Sequence, residues 1–212
     1  MKNLLGIVQD YFEKPAALWE YGNSVLYRMC EEHPFHNDVD IIAGKLLLIG
    51  RTYAAAIERR KTNDGYRNDE FYYSVAAPKM VSVGEELDDR IARLKACAKP
   101  AEDNIDELIL THKFLTDTFS ELTELNKRSL ASKYLHFHCP HMVYIYDSRA
   151  DAGIKKLIKK NSSGLRSCTQ KGDTYYTDFA VRCLGIQELV EKKCRQLLSP
   201  RDIDNILLGY VS

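Results

Sequence analysis

The sequence around Pro140 constrains the fold more than any other stretch of the chain. Proline has no amide hydrogen, so the helical pattern of residues 129–138 is predicted to end just before it. An apolar run, 142–146, follows and stops at Asp147. Aspartate is a favoured N-cap because its side chain accepts hydrogen bonds from the free amides of the first turn, and the helix dipole favours its charged form. The sequence therefore predicts two helices joined by a short apolar segment, with one acid at the start of the second.

Helical patterns also account for most of the remaining chain. Apolar residues recur at helical spacing, and strand alternation is nowhere convincing, so the predicted fold class is all-α. Asp38 or Asp40 is expected to cap the third helix, and Ser199 followed by Pro200 is expected to start the last one. The predicted helices are 4–13, 16–32, 41–61, 82–98, 101–125, 176–198 and 203–208, with a turn-rich insertion at 62–80 and irregular chain at 161–174.

Composition narrows the class of protein. The 212 residues are 45% hydrophobic, enough for one domain or two small lobes with a real core. No run of about 18 apolar residues is present, and acids lie too early at the N-terminus for a signal peptide. The six cysteines include no C-x-x-C pair, which is typical of reduced thiols. We therefore expect a cytoplasmic protein that does not enter a membrane.

The charges are distributed unevenly along the chain. The net charge is zero, but residues 126–201 hold 15 lysines and arginines against 6 acids, a surplus of nine. A basic face of this kind is typical of proteins that contact a phosphate backbone. Solvated helix faces are the alternative explanation. The surplus coincides with the stretch around Pro140, which favours the first interpretation.

The same stretch resembles the core of the helix-hairpin-helix, or endonuclease III-like, DNA glycosylase superfamily. Ala131 matches the alanine just inside the family's first helix, and the spacing from there to Asp147 matches without a gap. Ser148, Ala150 and Ile154 fit the following helix. The resemblance is tight over about 30 residues, as judged from motif spacing. It implies two helical lobes that flank a cleft, one of about 36–142 with the hairpin, the other of about 1–35 plus 143–212.

The resemblance also implies a reaction. Asp147 would stabilise the positive charge that develops on the sugar when an N-glycosidic bond breaks, and would orient the attacking water. Bifunctional members of the family carry an imine-forming lysine where this chain has Ser129, so the resemblance implies a monofunctional hydrolase. Lys133 lies four residues later on the same helix face and is an alternative imine former, a phosphate contact or a solvated side chain. The hairpin departs from the family as well, since Leu125 and Lys127 stand where glycines are usual.

Other site residues follow from the same comparison. Arg51 and Tyr53 would lie beside the flipped base; the alternative for Arg51 is an ion pair with an acid such as Glu58 or Asp40. The remaining predicted positions are Ser129, Tyr144 and Tyr146 in the base pocket, and Lys127, Arg128 and Arg149 at the DNA backbone.

The sequence of residues 46–60 and 131–150 is similar to that of small anti-phage glycosylases. This resemblance implies that the substrate is a modified base such as glucosylated hydroxymethylcytosine. The expected partner is double-stranded DNA, bound by a monomer without a cofactor, and the resemblance implies that this DNA is modified phage DNA. Two alternatives stay open: a non-catalytic DNA- or partner-binding module, and a small nuclease that uses His136 and His138. The spacing of these histidines with Cys139 and His141 does not fit the usual zinc sites, so no metal is expected.

Overall fold

The structure, a computed structural model, describes residues 4–13, 19–61, 65–158 and 172–211. Every regular element in these ranges is helical, which confirms the all-α prediction. None of the helices there combines the length and apolarity that crossing a bilayer requires. The helices are α1 (Leu4–Phe12), α2 (Glu20–Glu32), α3 (Val39–Thr52), α4 (Asn68–Phe71), a π-helical turn (Tyr72–Ala76), α5 (Ala77–Ser82), α6 (Gly84–Lys95), α7 (Ile105–Thr123), α8 (Arg128–His138), α9 (Ser148–Leu157), α10 (Thr174–Cys194) and α11 (Pro200–Val211).

Helix α8 lies at the centre of the packing. It contacts α7, α3 and α2, and each of its residues from Leu130 to His138 is buried. It ends at His138, two residues before Pro140, as the missing amide of proline requires. The segment 142–146 then runs back along α8, where the Ser132 hydroxyl accepts a hydrogen bond from the Tyr146 amide at 2.9 Å. The predicted order of helix, break, apolar segment and acid-capped helix is confirmed.

Helix α3 is shorter than predicted. Asp38 rather than Asp40 is its cap, and its side chain accepts hydrogen bonds from the amides of residues 40 and 41. The prediction that the helix continues to residue 61 is wrong, because Ala54 adopts a left-handed φ of 52° and the Ala55 amide bonds back to the Gly50 carbonyl at 2.7 Å. A Cβ on Gly50 would lie 3.2 Å from the Ala56 Cα, so glycine permits this close return of the chain.

The predicted turn-rich insertion at 62–80 is largely helical. Residues 62–64 lie outside the described ranges, but α4, the π-helical turn and α5 follow one another from residue 68 to residue 82. Phe71 and Tyr72 are fully buried and join the core beside α3, and the Tyr72 hydroxyl donates to Glu58. The apolar surface that these two rings bury offsets the weak helical propensity of the segment.

A second group of helices packs around α11. Helix α11 contacts α9, α10 and α1, while α10 also contacts α7. Helix α11 begins at Pro200, earlier than predicted. The Asp202 amide donates a hydrogen bond to the Ser199 hydroxyl at 3.1 Å, as in a capping box. Helix α10 ends at Cys194 rather than at residue 198. Most of the segment 161–174 lies outside the described residues. The division of the chain into two lobes stays a prediction.

Candidate functional site

Asp147 occupies the N-terminus of α9. Its Oδ1 accepts hydrogen bonds from the amides of Arg149 and Ala150 at 2.9 and 2.8 Å. Its Oδ2 faces the Lys133 ammonium at 3.9 Å, a charge contact rather than a hydrogen bond. The Asp147 side chain is 25% exposed, whereas that of Lys133 is 5% exposed. One carboxylate oxygen is therefore fixed by the backbone, and the carboxyl group stays accessible from outside.

Lys133 brings a buried positive charge to this acid. Its ammonium donates to the Ser129 hydroxyl at 2.9 Å and to the Tyr53 carbonyl at 3.2 Å. Burial lowers the pKa of Lys133, while the charges of Asp147 and Asp204 act in the opposite direction. The predicted proximity of Ser129 and Lys133 on one helix face is confirmed, and the structure places Lys133 beside Asp147.

Tyr53 connects α3 to the site. It follows the last residue of α3, its hydroxyl donates to Asn23, and its ring lies 5.7 Å from the Lys133 ammonium. The Arg201 guanidinium lies at the same distance, 5.7 Å, from that ring. The left-handed turn at Ala54 ends α3 beside α8, and this turn brings the Tyr53 carbonyl to Lys133.

Asp204 is a member of the site that the sequence analysis missed. It lies on α11, 3% exposed, and its Oδ2 pairs with Arg201 at 3.1 Å. Burial raises the pKa of Asp204 to about 7; Arg201 and Lys133 lower it, and Asp147 raises it. The sequence offers one signal, an acid adjoining the buried positions Ile203 and Ile206 of an amphipathic helix.

Arg51 does not join this group in the structure. Its side chain is 46% exposed and forms ion pairs with Glu58, at 3.2 Å, and with Asp69. Its guanidinium also lies 5.8 Å from the centre of the Tyr72 ring. The alternative of an ion pair with Glu58 is therefore present, and Asp69, rather than Asp40, is the second acid. The buried helix centre on which the pocket interpretation depended does not exist, because α3 ends at Thr52.

The two tyrosines of the apolar segment are core residues. Tyr144 is 1% exposed, and its hydroxyl donates to Gln187 at 2.7 Å. Tyr146 is 8% exposed and packs edge-on against Phe179 with the ring centres 5.2 Å apart. Tyr146 directly precedes Asp147 and anchors the acid, while Tyr144 points into α10.

The predicted phosphate contacts have partners within the protein. The Lys127 ammonium donates to the carbonyls of Ala56 and Arg59, at 3.1 and 2.6 Å, and burial lowers its pKa to about 8. Arg128 forms a two-pronged ion pair with Asp173 at 2.6 and 2.7 Å. Arg149 is exposed on the first turn of α9, next to Asp147. Only a rearrangement would turn Lys127 or Arg128 toward a phosphate.

The histidines of α8 are buried rather than grouped around an ion. His136 is held by the Tyr27 hydroxyl at 2.7 Å and the Val143 carbonyl at 2.8 Å. His138 is buried as well, with its ring 4.9 Å from that of His36. Within the part of the chain that the structure describes, no three histidines, cysteines or acids are placed to hold a metal ion.

Comparison with known proteins adds no family. No protein-family model, curated protein or solved structure matches this chain. The features that bear on function are therefore the geometry of Asp147, Lys133 and their neighbours and the motif spacing in the sequence.

Proposed function

We propose that this protein is a monofunctional DNA glycosylase in which Asp147 stabilises the cationic sugar formed as a base is released. The observation that carries the proposal is the environment of Asp147: backbone amides fix one oxygen, a lysine lies beside the other, and the side chain stays partly exposed. A carboxylate positioned in advance in this way stabilises developing positive charge without reorganising. The spacing from Ala131 to Asp147, which resembles that of the helix-hairpin-helix glycosylases, supports the same reaction.

The proposed reaction is hydrolysis of the N-glycosidic bond. The bond between C1′ and the base nitrogen breaks, and its electron pair leaves with the base. Water then forms a bond to C1′, its proton passes to the base or to solvent, and an abasic site remains. Asp147 stabilises the cation and orients the water, as carboxylates do at other glycosidic centres. Ser129 has no amine, which favours water as the nucleophile.

The proposed substrate is a modified base in double-stranded DNA. Such a base must leave the stack before its glycosidic bond can be reached. The similarity of residues 46–60 and 131–150 to anti-phage glycosylases supports a bulky cytosine, such as glucosylated hydroxymethylcytosine in phage DNA. We propose a monomer in the cytoplasm that needs no cofactor.

A second candidate function is a non-catalytic partner-binding module. The internal contacts of Lys127 and the Arg128–Asp173 ion pair favour it, because they occupy two cations that a DNA-binding hairpin would present. An assay for abasic sites and strand breaks, on modified phage DNA and unmodified host DNA, separates the candidates. A glycosylase produces abasic sites in the presence of a chelator, a metal-dependent nuclease loses its strand breaks there, and a binding module produces neither.

Substitution of Asp147 by asparagine tests the assignment directly. Asparagine caps helices about as well as aspartate, so we expect the melting temperature to be preserved. Loss of the negative charge is expected to slow base release by about 100-fold or more. DNA affinity should be kept, since a negative charge near the phosphates has been removed.

Asp151→Asn is the matched control. Asp151 lies on the same helix and pairs with Lys155 at 2.6 Å. Base release, melting temperature and DNA affinity are measured for both variants. Near-normal base release by a folded Asp147→Asn protein would contradict the catalytic role and leave Asp147 as a helix cap.

A further inference from the structure

Asp204 places a second carboxyl group inside the fold. Its side chain is 3% exposed, and Oδ2 is paired with Arg201. Its Oδ1 is buried and has no hydrogen-bond partner among the described residues. Burying a carboxylate with one unpaired oxygen costs free energy, so the ion pair with Arg201 does not by itself explain why an acid lies here.

Tyr53 connects Asp204 and Arg201 to the proposed site. Its ring lies 5.7 Å from both the Arg201 guanidinium and the Lys133 ammonium, and its carbonyl accepts a hydrogen bond from Lys133. Helix α11 packs directly on α9, at whose N-terminus Asp147 lies. Lys133, Arg201, Asp147 and Asp204 thus form one group, which we term the four-charge cluster.

We propose that Asp204 is a positioning residue of this site: its ionised carboxylate holds Lys133 in the ammonium form beside Asp147 and brings the four-charge cluster to neutrality. The inference rests on the proposed glycosylase function. With Asp204 protonated, the cluster has one net positive charge, which opposes a cationic sugar. With Asp204 ionised, that charge is cancelled, and the cationic transition state is stabilised through a medium of low dielectric constant.

The change of charge at Asp204 falls near neutral pH. Burial raises its pKa to about 7. Outside the four-charge cluster, the groups with shifted pKa values on α1, α2, α8, α10 and directly after α3 keep their charge state at that pH. Burial lowers the pKa of His136 on α8 to about 3, and it raises the pKa of Tyr27 on α2 to about 12, of Tyr53 after α3, of Tyr11 on α1 and of Cys183 on α10.

The first experiment follows the carboxyl carbons of ¹³C-labelled aspartate by NMR as the pH is varied. We expect one resonance with a midpoint between about pH 6 and pH 8, far above the ordinary aspartate range. It should vanish in Asp204→Asn and persist in Asp178→Asn, a matched change in an ion pair on α10. A midpoint above about pH 8 overturns the proposal, because Asp204 would then be protonated at neutral pH and the cluster would keep its positive charge. This measurement needs no activity.

The second experiment measures the pH profile of base release on modified DNA. The wild-type rate should rise about tenfold between about pH 6 and pH 8 as Asp204 ionises. The rate of Asp204→Asn should change less with pH and should stay near the low wild-type rate at about pH 6. The Lys133 amine should also titrate at a lower pH in Asp204→Asn, which NMR of ¹³C-methylated lysine detects. An unchanged profile and an unchanged Lys133 titration overturn the proposal. No base release by the wild type overturns the glycosylase function instead, and the NMR titrations still decide the role of Asp204.

Discussion

Lys133 enters the site from one helical turn beyond Ser129, the position at which the resembling family carries its lysine. The Lys133 ammonium donates a hydrogen bond to the Ser129 hydroxyl and lies 3.9 Å from Asp147 Oδ2. An ammonium group has no lone pair, and it cannot form an imine until it loses a proton. The ionisation state of one buried lysine therefore separates a hydrolase from a lyase in this arrangement.

Borohydride trapping tests that distinction. We expect no covalent complex between the wild-type protein and DNA containing the modified base or an abasic site at neutral pH, because two oxygen acceptors and Asp147 hold Lys133 as a cation. Burial lowers the pKa of Lys133, so the comparison should be repeated at alkaline pH. Lys133→Arg keeps the charge but cannot form an imine. Efficient trapping that disappears in Lys133→Arg would show that the monofunctional assignment is wrong.

The sequence makes some of these residues predictable and leaves others hidden. The capping position of Asp147 and the shared face of Ser129 and Lys133 depend on spacings of a few residues, and both are confirmed. Asp204 depends on how α11 packs against α9, a contact between distant parts of the chain that no local pattern encodes. The sequence pattern predicts a buried helix centre at Arg51, because no local signal marks the end of α3 at Thr52.

At the scale of elements, helices whose ends carry local signals were predicted best. Pro140, Asp147 and Pro200 each mark a boundary that the structure reproduces or nearly reproduces. The end of α3 was missed because a left-handed alanine, Ala54, terminates it, and alanine favours helix. Residues 62–80 are predicted to be turn-rich, yet the chain is helical from residue 68, where Phe71 and Tyr72 are buried. Tertiary packing overrides propensity in this second case.

The cap of α3 gives a prediction at this scale. Asp38→Ala removes the acceptor for two amides and is expected to cost about 1 kcal/mol, or roughly 2–4 °C in melting temperature for a chain of this size. Asp38→Asn keeps an acceptor and should be close to wild type. Asp40→Ala removes only an exposed acid of the first turn and should cost less. Equal losses for Asp38→Ala and Asp40→Ala would contradict the assignment of Asp38 as the cap.

At the scale of the whole molecule, the basic surplus is partly used inside the protein. Four of the basic residues form ion pairs with acids of the same region or of α11: Arg128 with Asp173, Lys155 with Asp151, Arg182 with Asp178, and Arg201 with Asp204. A count of charges along the chain could not show this, because the pairing depends on the fold. Among the described residues, exposed basic side chains also lie at Arg149, at Lys156 and, near the end of α10, at Lys192, Lys193 and Arg195. A DNA surface formed by the described residues would use these as well as the hairpin cations.

The buried histidines make the whole fold sensitive to acid. Burial lowers the pKa of His112 and of His136 to about 3, that of His138 well below its usual value, and that of His36 below its usual value as well. In the unfolded chain a histidine has a pKa of about 6.5. Below that pH the unfolded state therefore binds protons that the folded state does not bind. Each such histidine contributes stability that is fully present above about pH 6.5 and is lost by about 1.4 kcal/mol for each pH unit below it.

Asp204 acts with the opposite sign. Because the pKa of Asp204 is raised in the folded protein, this group increases the stability of the fold as the pH falls from about 7 toward the ordinary aspartate pKa. These four histidines outweigh one carboxyl group, and urea unfolding should show a net loss of stability between about pH 7.5 and pH 5.5. His112→Phe can still stack on Tyr176, whose ring centre lies 3.5 Å from that of His112, and should make the loss shallower. Asp204→Asn removes the compensating group and should make it steeper. Equal stability of the wild type at the two pH values, or the same slope in all three proteins, would mean that these groups are not held in the charge states that the fold implies.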